Sequence, residues 1–297
     1  MPVRERVIGR ATSEIIDRVA ELFRFRSAEC VGLSIADTRW MGASVPSDTG
    51  PMEHAEIWDA DAAGRYDTPG VGMFAPEVLG PAVERLRELA GGGRALEMAI
   101  GTGRVAVPLA ASGVAVAGIE LCQPMIDQLR TKASADDIPV VLGDMTTARV
   151  DGEFNLVFLV FNGISNVLTQ GAQIAVFENA ARHLAPRGRF VIELWVPDLR
   201  TLPPGRTGSV FAARPGYLGA DVFDTVDQQV VSHHVTFGRD SGTNARIFRS
   251  PHRYIWPAEL DLMARLCGFS LESRHGGWSG EPFTAESRDH VSVYRLS

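Results

Sequence analysis

The chain has 297 residues, of which 45% are hydrophobic and 22% are charged, and it holds no apolar run of eighteen residues. This composition excludes a membrane-spanning helix and a disordered protein, and the length suffices for one large α/β domain with an appended element. The 29 basic residues against 36 acidic ones give a net charge of −7. An acidic balance of this size disfavours nucleic acid and anionic membranes as partners.

Cysteine usage and the first residues predict where the protein works. Cys30, Cys122 and Cys267 are widely separated, so they form no disulfide framework and no Cys-x-x-Cys metal clip. The opening residues MPVRERVIGR lack the apolar segment and the cleavage site of a signal peptide. We therefore expect a reducing, cytoplasmic location, and the spacing of His, Cys, Asp and Glu predicts no metal site.

Residues 1–52 are predicted to form a helical extension with a connector. Apolar residues recur at helical spacing over 11–26, which predicts an amphipathic helix. Residues 42–51 are rich in Gly, Ser and Pro, as is typical of a connector. The apolar face of the helix needs the main body or a second copy of the chain against it, so a homodimer is one expected assembly.

From residue 76 onward, helices alternate with short apolar strands, a pattern typical of a doubly wound parallel sheet. The predicted elements are a helix that stops at Gly91–Gly93, a strand over 94–99, a helix over 104–112, a strand over 114–119, a helix over 124–133, strands over 139–142 and 154–161, a helix that ends before 185–188, and a fifth strand over 189–195. His183, near the end of the last of these helices, is predicted to lie at the surface or to interact with the dipole at the helix C-terminus.

After residue 208 the rhythm changes to antiparallel spacing. Residues 226–237 and 245–256 read as strands separated by a turn, which predicts a small antiparallel platform inserted into the α/β domain. A helix over 257–266 and two final strands complete the main sheet. The predicted divisions are the extension 1–52, the α/β core with its lid 53–200, the antiparallel cap 201–256, and the last helix and strands 257–297.

The segment LEMAIGTGR, residues 96–104, lies between the first predicted strand and the next helix. Its glycines let a ligand approach the backbone, and the start of the helix presents free amides. Gly101 to Ala106 also satisfies the loose pattern Gly-x-Gly-x-x-Gly/Ala of dinucleotide sites, so an NAD-dependent oxidoreductase is one alternative.

Charge separates the two kinds of ligand. Glu97 lies four residues before Gly101, where a carboxylate suits a cation such as the ammonium and sulfonium of S-adenosylmethionine better than a pyrophosphate. Glu120 ends the second strand and can accept both hydroxyls of a ribose. Asp144 follows the third strand, where it can accept a hydrogen bond from an adenine amino group. Three carboxylates at three successive strand ends therefore converge on one edge of the sheet.

With these motifs the sequence resembles the class I S-adenosylmethionine-dependent methyltransferases of small-molecule, antibiotic-tailoring type. The resemblance covers residues 53–297 in its order of elements, through LEMAIGTGR, GIELCQPMI, GDM and VFLVFNGISNVL. It implies a Rossmann-like seven-stranded sheet and S-adenosylmethionine as the cofactor. The segment IWDADAAGRYD resembles the helical lid of such enzymes, and Tyr66 within it would contact the cofactor. Ala99 stands where the family usually has its first glycine.

The resemblance also implies roles for residues of the matching motifs. Glu97, Gly101 and Gly103 would meet the methionine part, Glu120, Leu121 and Met125 the ribose, Asp144 and Met145 the adenine, and Phe161 and Asn162 would lie beside the sulfonium. Methyl transfer is an in-line displacement that needs alignment and exclusion of water more than a strong acid or base. The expected reaction is methylation of nitrogen or oxygen in a small molecule, such as an amine-bearing sugar or another secondary metabolite.

No residue is assigned as the catalytic base. The candidates are Glu193, His233, His234 and Tyr254; adjacent His233 and His234 point to opposite faces of their strand. The lack of a Tyr-x-x-x-Lys motif weakens the oxidoreductase alternative, since Lys132 is the one lysine of the chain. A non-catalytic module that binds a nucleoside with the same fold is a further alternative.

Overall fold

The computed structural model describes residues 59–202, 204–237 and 245–297. The predicted extension over 1–52 and its helix over 11–26 lie outside these residues. The chain divides into two compact units; the larger draws its described residues from Glu53–Thr201, Thr225–Gln229 and Pro251–Ser297, and the smaller from Leu202–Asp224 and Val230–Ser250. Within the described ranges, every helix is too short or too polar to cross a bilayer.

The helices and strands follow the predicted alternation. The helices are Ala60–Tyr66 (α1), Pro76–Ala90 (α2), Ala106–Ala111 (α3), Gln123–Arg130 (α4), Gln170–His183 (α5) and Pro257–Leu266 (α6). The strands are Ala95–Met98 (β1), Val116–Glu120 (β2), Val140–Leu142 (β3), Phe154–Leu159 (β4), Leu184–Trp195 (β5), Gly208–Arg214 (β6), Tyr217–Asp224 (β7), Gln229–Phe237 (β8), Ala245–Arg253 (β9), Phe269–His275 (β10) and Asp289–Leu296 (β11).

The larger unit is built on a sheet whose strand order is β10-β11-β5-β4-β1-β2-β3. Strands β1 to β5 pair in parallel, and β11 pairs antiparallel with both β5 and β10. The order reverses between β1 and β4, and in open α/β sheets a ligand crevice forms at the carboxyl ends of the strands at such a point. The predicted Rossmann-like fold, with seven strands among the described residues, is confirmed.

Apolar clusters cover both faces of this sheet. Leu96 and Met98 of β1 belong to one cluster and Ala95 to the other, so the strand is buried from both sides. Phe177 of α5 packs edge-on against Phe190 and Tyr294, with ring centroids 5.2 Å and 5.9 Å away. A strand covered in this way is rigid, and it fixes the direction of side chains at its carboxyl end.

Two local predictions are wrong. The fifth strand begins at Leu184, which pairs with Phe154, whereas the sequence placed a turn over 185–188. Arg187 has φ of 63°, so the turn-forming residues are absorbed as a bulge within the strand. His183 is 2% exposed rather than at the surface. Its Nε2 accepts the Val150 amide proton at 3.0 Å, and burial lowers its pKa, so the ring is neutral.

The smaller unit contains most of an antiparallel sheet of order β6-β7-β8-β9. Strands β8 and β9 fall on the two predicted segments, whereas β6 and β7 were not predicted. Those two form a hairpin that turns at Pro215 and Gly216, the latter with φ of 78°. A Pro-Gly pair between two short apolar stretches is the signal that would have indicated it.

A buried polar network holds α5 and α6 together. The Arg253 guanidinium, 5% exposed, donates to Gln173 Oε1 at 2.6 Å and to Glu259 Oε1 at 2.8 Å. Glu259 also accepts from Gln228 Nε2 and Gln170 Nε2, each at 2.7 Å. Burial acts to raise the pKa of Glu259, but these donors outweigh it and lower the pKa. Removing Glu259 would leave the arginine charge buried and unpaired.

We expect the substitution Glu259→Ala to lower the free energy of unfolding by about 3 to 5 kcal/mol, the usual cost of breaking a buried ion pair. Glu88→Ala is the matched control, because its ion pair with Arg85 is half-exposed at the surface of α2 and should change stability by less than about 1 kcal/mol. Urea unfolding followed by tryptophan fluorescence measures both. Equal effects of the two substitutions would contradict this account of the network.

Candidate functional site

The carboxyl ends of the parallel strands bring the predicted carboxylates to one edge of the larger unit. Glu97 lies on β1 and Glu120 ends β2, and these strands pair directly. Glu120 pairs in register with Leu142, the last residue of β3, and Asp144 follows two residues later. The predicted juxtaposition of strand-end carboxylates therefore has its basis in the register of three neighbouring strands.

The loop after β1 is held in an unusual backbone conformation. Ala99, Gly101 and Gly103 have φ of 53°, 56° and 78°, in the left-handed region. At Gly103 a Cβ atom would collide with Leu129 Cδ1, so a larger residue would displace that side chain as well as strain the backbone. Ala99 has a Cβ atom and costs about 1 to 2 kcal/mol in this conformation. Such strain persists where the surroundings determine the backbone, as at ligand sites.

Glu97 is the most unusual group at this edge. It is 3% exposed, it accepts the backbone N–H of Ala106 at the start of α3, and its Oε2 has no hydrogen-bond partner in the structure. Burial raises the pKa of Glu97 to about 8, against the lowering effect of the nearby Arg104 charge and the Ala106 amide. A buried carboxylate oxygen without a donor fits a cationic ligand group, because such a group would compensate the desolvated charge.

Glu120 connects β2 to the loop Gly101-Thr102-Gly103, which we call the glycine loop. Its Oε2 accepts the Gly101 N–H at 2.7 Å and its Oε1 accepts the Cys122 N–H at 3.0 Å. Burial raises its pKa despite these amides. The Leu121 amide also hydrogen-bonds this carboxylate, so of its about four acceptor positions one remains for a ligand hydroxyl.

Tyr66 ends α1 and faces the same group of charges. It packs against Ala63, Cys122 and Met125. Burial raises its pKa, and the charges of Arg104, Glu97 and Glu120 all act on its hydroxyl. The predicted lid helix is thus present over Ala60–Tyr66, and its tyrosine lies close to both buried carboxylates.

Asp144 and Met145 follow β3 after Gly143, whose amide donates to the Glu120 carbonyl at 2.8 Å. Asp144 is exposed, and its Oδ1 accepts the amide and the hydroxyl protons of Thr146, both at 2.7 Å. Met145 is partly buried against the core, and its carbonyl accepts from Asn179. This turn therefore places the Asp144 carboxylate just beyond the end of β3, the strand that pairs with the Glu120 end of β2.

The end of β4 forms a second strained corner. Phe161 and Asn162 have φ of 49° and 62°. The Phe161 amide donates to Glu193 Oε2 and the Trp278 indole N–H donates to Glu193 Oε1, both at 2.7 Å. Asn162 Oδ1 accepts the Trp195 amide proton at 2.7 Å. Glu193, a candidate base, thus has each oxygen held by a donor and fixes the corner.

Large apolar side chains are exposed at three of these strand ends. Leu121 follows β2, Leu142 ends β3 and Phe161 follows β4, and they are 45%, 54% and 45% exposed. Met125 lies beneath the glycine loop, with its Cε 3.5 Å from where a Cβ on Gly101 would be. Together they offer apolar surface around the carboxylates, as a site for a ribose and a base requires.

The remaining candidate bases are engaged elsewhere. Tyr254 is 1% exposed and packs edge-on between the rings of Trp195 and Trp256. His233 and His234 lie on β8, in the smaller unit. His233 is 6% exposed with Nδ1 3.1 Å from the Val231 carbonyl, and His234 Nδ1 lies 2.6 Å from the Tyr217 hydroxyl. Burial lowers the pKa of both histidines.

Sequence reasoning gave no role to Arg104, although it directly follows Gly103. Its guanidinium lies over the Phe161 ring, 5.1 Å from the centroid, and donates to the Met73 carbonyl at 3.1 Å. Its charge acts on both Glu97 and Tyr66. The signal that could have identified Arg104 is its position at the end of the LEMAIGTGR motif. Within the part of the chain that the structure describes, no group of His, Cys, Asp and Glu could hold a metal ion.

The raised pKa of Glu97 predicts a pH-dependent stability in the absence of ligand. Its pKa of about 8 in the fold exceeds the value near 4.3 of an unfolded chain, so its contribution is present below about pH 4.3 and lost as the pH rises through about 8. Relative to the variant Glu97→Gln, we expect the free energy of unfolding to fall by roughly 2 to 4 kcal/mol between pH 5 and 8.

Urea titrations at pH 5, 6.5 and 8 measure this difference. Glu272→Gln is the control, because hydrogen bonds from Arg189 and Arg295 lower the pKa of Glu272 to about 2, which leaves its ionisation unchanged over this range. A difference between wild type and Glu97→Gln that does not vary with pH would show that Glu97 is ionised at low cost.

Comparisons with known proteins agree with this geometry. Residues 95–188 match the family model described as a methyltransferase domain. The solved structure of the CcbJ methyltransferase from Streptomyces caelestis is 35% identical, covers 80% of this chain and 96% of its own, and gives a TM-score of 0.70. The cypemycin N-terminal methyltransferase of a Streptomyces species is 28% identical over 258 residues, 82% of this chain and 98% of that protein.

A more distant structure shows the shared fold alone. The S-adenosylmethionine-bound structure of CalS10, an amino pentose methyltransferase from Micromonospora echinaspora, is 19% identical, covers 74% of this chain and 90% of its own, and gives a TM-score of 0.58. The likeness to CcbJ extends over 96% of that chain, and the family model over 95–188 includes β1 to β4 and the glycine loop that form the edge described above. The chain therefore belongs to the family of S-adenosylmethionine-dependent methyltransferases.

Proposed function

We propose that this methyltransferase transfers a methyl group to a nitrogen or oxygen atom of a small molecule, by in-line displacement at the carboxyl edge of the large sheet. The observation that carries the proposal is the buried Glu97 carboxylate with one unpaired oxygen beside the glycine loop. S-adenosylmethionine, when bound, supplies the methyl group from its sulfonium. The chain supplies binding, alignment and exclusion of water.

The residues at this edge fit that cofactor. Glu97 Oε2 would accept from the ammonium of the methionine part, while Gly101 and Gly103 let that part approach the backbone. Glu120 would accept a ribose hydroxyl through the acceptor position that the amides of Gly101, Cys122 and Leu121 leave open. The further contacts we propose are Leu121 and Met125 with the ribose, Asp144 and Met145 with the adenine, Ala99 and Tyr66 with the methionine part, and Phe161 and Asn162 beside the sulfonium.

The same group disfavours a dinucleotide. With a pKa of about 8, Glu97 is protonated in the ligand-free protein at neutral pH, and a pyrophosphate at the start of α3 would have to keep it in that form. Such a ligand gains no ion pair with Glu97, whereas a bound ammonium favours its ionised form and compensates its charge. This argument, together with membership of the methyltransferase family, favours methyl transfer over the oxidoreductase and over a non-catalytic nucleoside-binding module.

For the acceptor, we propose an amine. A neutral amine carries its own lone pair, whereas a phenol or alcohol needs a base to remove its proton. Two of the four candidate bases are engaged, Glu193 by two donors and Tyr254 by aromatic packing. The other two, His233 and His234, lie on β8, a strand that carries none of the residues assigned to the cofactor.

Relatives support this choice. One protein that the chain resembles over most of its length is named as a methyltransferase of the cypemycin N-terminus, and one with the same fold is named as an amino pentose methyltransferase. We propose a secondary metabolite with an amino group, an aminosugar for example, as the substrate class. The acidic net charge of −7 suits a cationic small molecule better than nucleic acid.

The adenine contact gives a direct prediction. Asp144→Ala should raise the dissociation constant for S-adenosylmethionine by about 5- to 150-fold, equivalent to about 1 to 3 kcal/mol for a lost polar partner. Asp151→Ala is the matched control, since Asp151 is also an exposed turn aspartate but follows no strand of the site. Titration calorimetry measures both, and an unchanged affinity in Asp144→Ala would refute the assignment.

The acceptor class is tested with S-adenosylmethionine that carries a radiolabelled methyl group. The expected result is label in primary or secondary amines, with a rate that rises with pH as the amine loses its proton. Phenols, a nucleoside lacking an amine and total RNA serve as parallel acceptors. Label confined to phenols would replace nitrogen by oxygen as the methylated atom, and label confined to RNA would overturn the small-molecule proposal.

A further inference from the structure

Asp67, the residue after Tyr66, connects two segments that are distant in sequence. Its Oδ1 accepts the hydroxyl proton of Thr102 at 2.5 Å, and its Oδ2 accepts from Lys132 Nζ at 2.5 Å. Thr102 is the central residue of the Gly101-Thr102-Gly103 loop, and Lys132 follows the end of α4. One carboxylate thus joins the end of the lid helix to both the glycine loop and the end of α4.

Thr102 is oriented toward the lid. It is 1% exposed, and its hydroxyl donates to Asp67 rather than projecting toward the carboxylates Glu97 and Glu120. In a loop whose glycines allow close approach of a ligand, the one side chain between them is used to hold the lid. A buried hydroxyl keeps such a partner, because leaving it unsatisfied costs free energy.

A second contact joins the same segment to the same loop. Arg104 donates to the Met73 carbonyl at 3.1 Å, and Tyr66 packs edge-on against Phe74. Residues 67–74 are therefore tied to the glycine loop at both ends, by Asp67 and by Met73. We call this segment the strap. Every side chain of residues 67–74 is partly or fully exposed.

The ion pair of Asp67 is suited to opening. The Lys132 and Asp67 side chains are 30% and 29% exposed, and ion pairs at the surface contribute little to global stability and weaken with salt. Elements that gate a site are held by such low-stability contacts. Lys132 is also the one lysine among 297 residues, so an amine reagent acylates no other lysine side chain.

We infer that Asp67 is a positioning residue for the cofactor site, in that its bonds to Thr102 and Lys132 hold the strap and Tyr66 against the glycine loop, and that a bound cofactor leaves when these bonds break. This inference rests on the proposed function, since it takes S-adenosylmethionine to bind beside Tyr66 and Glu97. It assigns to Asp67 control over the rate of cofactor release. Asp67 does not contact the reacting atoms in this account.

The test measures release of radiolabelled S-adenosylhomocysteine from preloaded protein after addition of excess unlabelled compound. Asp67→Asn should accelerate release about tenfold, which corresponds to about 1.4 kcal/mol and is in the range of a charge-assisted contact discounted for exposure. Its unfolding temperature should stay close to that of wild type. Asp61→Asn is the matched control. Asp61 also pairs with a basic side chain, Arg65, but both lie within α1, and their side chains are far more exposed than those of Asp67 and Lys132.

The dependence of the release rate on ionic strength distinguishes the proposed positioning role from a purely structural one. Raising the ionic strength should accelerate release from wild type and from Asp61→Asn, but not from Asp67→Asn, where the ion pair is already absent. Acetylation of Lys132 with an amine-specific reagent is a second route, with Lys132→Arg treated in the same way as the control for reaction at the α-amino group. The acetylated protein should release the compound as fast as Asp67→Asn does.

The possible results separate this inference from the proposed function. If wild type does not bind S-adenosylhomocysteine or S-adenosylmethionine, the proposed site is wrong and the inference falls with it. If wild type binds, and Asp67→Asn and the acetylated protein release the compound at the rate of Asp61→Asn, the inference alone is overturned. Faster release in both, with salt dependence lost, supports it.

Discussion

The buried carboxylate of Glu97 is the constraint on which the rest of the site depends. Its Oε2 is shielded from water and has no donor, which destabilises the ligand-free fold. Burial raises the pKa of the group to about 8. A bound cation removes this penalty and returns the carboxylate to its ionised form. The unfavourable desolvation of Glu97 is thus the source of selectivity for a cationic ligand, and it is consistent with the general observation that sites are locally less stable than the folds that hold them.

The surrounding structure maintains this arrangement against its cost. Strand β1 is buried on both faces, so Glu97 cannot turn toward solvent without disrupting the core. The Ala106 amide orients one carboxylate oxygen, and Glu120 fixes the glycine loop through the Gly101 amide. Left-handed residues at Ala99 and Phe161 lie at the ends of β1 and β4, the two strands between which the sheet reverses its order. Backbone strain and a desolvated carboxyl group are therefore concentrated at the carboxyl edge.

Much of this could be predicted from the sequence because it follows from local patterns. Parallel strands end at a common edge, so carboxylates at the ends of β1, β2 and β3 could be placed together without coordinates. Features that depend on contacts between segments distant in sequence could not be predicted in this way. The Asp67 carboxylate meets Thr102 across 35 residues and Lys132 across 65, and no spacing rule relates them. His183 was placed at the surface because its partner, the Val150 amide, lies 33 residues away. The start of β5 was misplaced because Pro186 and Gly188 are typical of turns, whereas here they form a bulge.

The central claim is that the carboxyl edge selects a cationic adenosyl ligand over an anionic dinucleotide. Thermal unfolding of the full chain with S-adenosylmethionine, S-adenosylhomocysteine and NAD, each at equal concentration, tests it most directly. A ligand at 100 times its dissociation constant adds about 2.7 kcal/mol of stability, which shifts the midpoint measurably. The account predicts stabilisation by both adenosyl sulfur compounds and none by NAD. Stabilisation by NAD alone would contradict it, since the buried carboxylate of Glu97 would then tolerate a pyrophosphate.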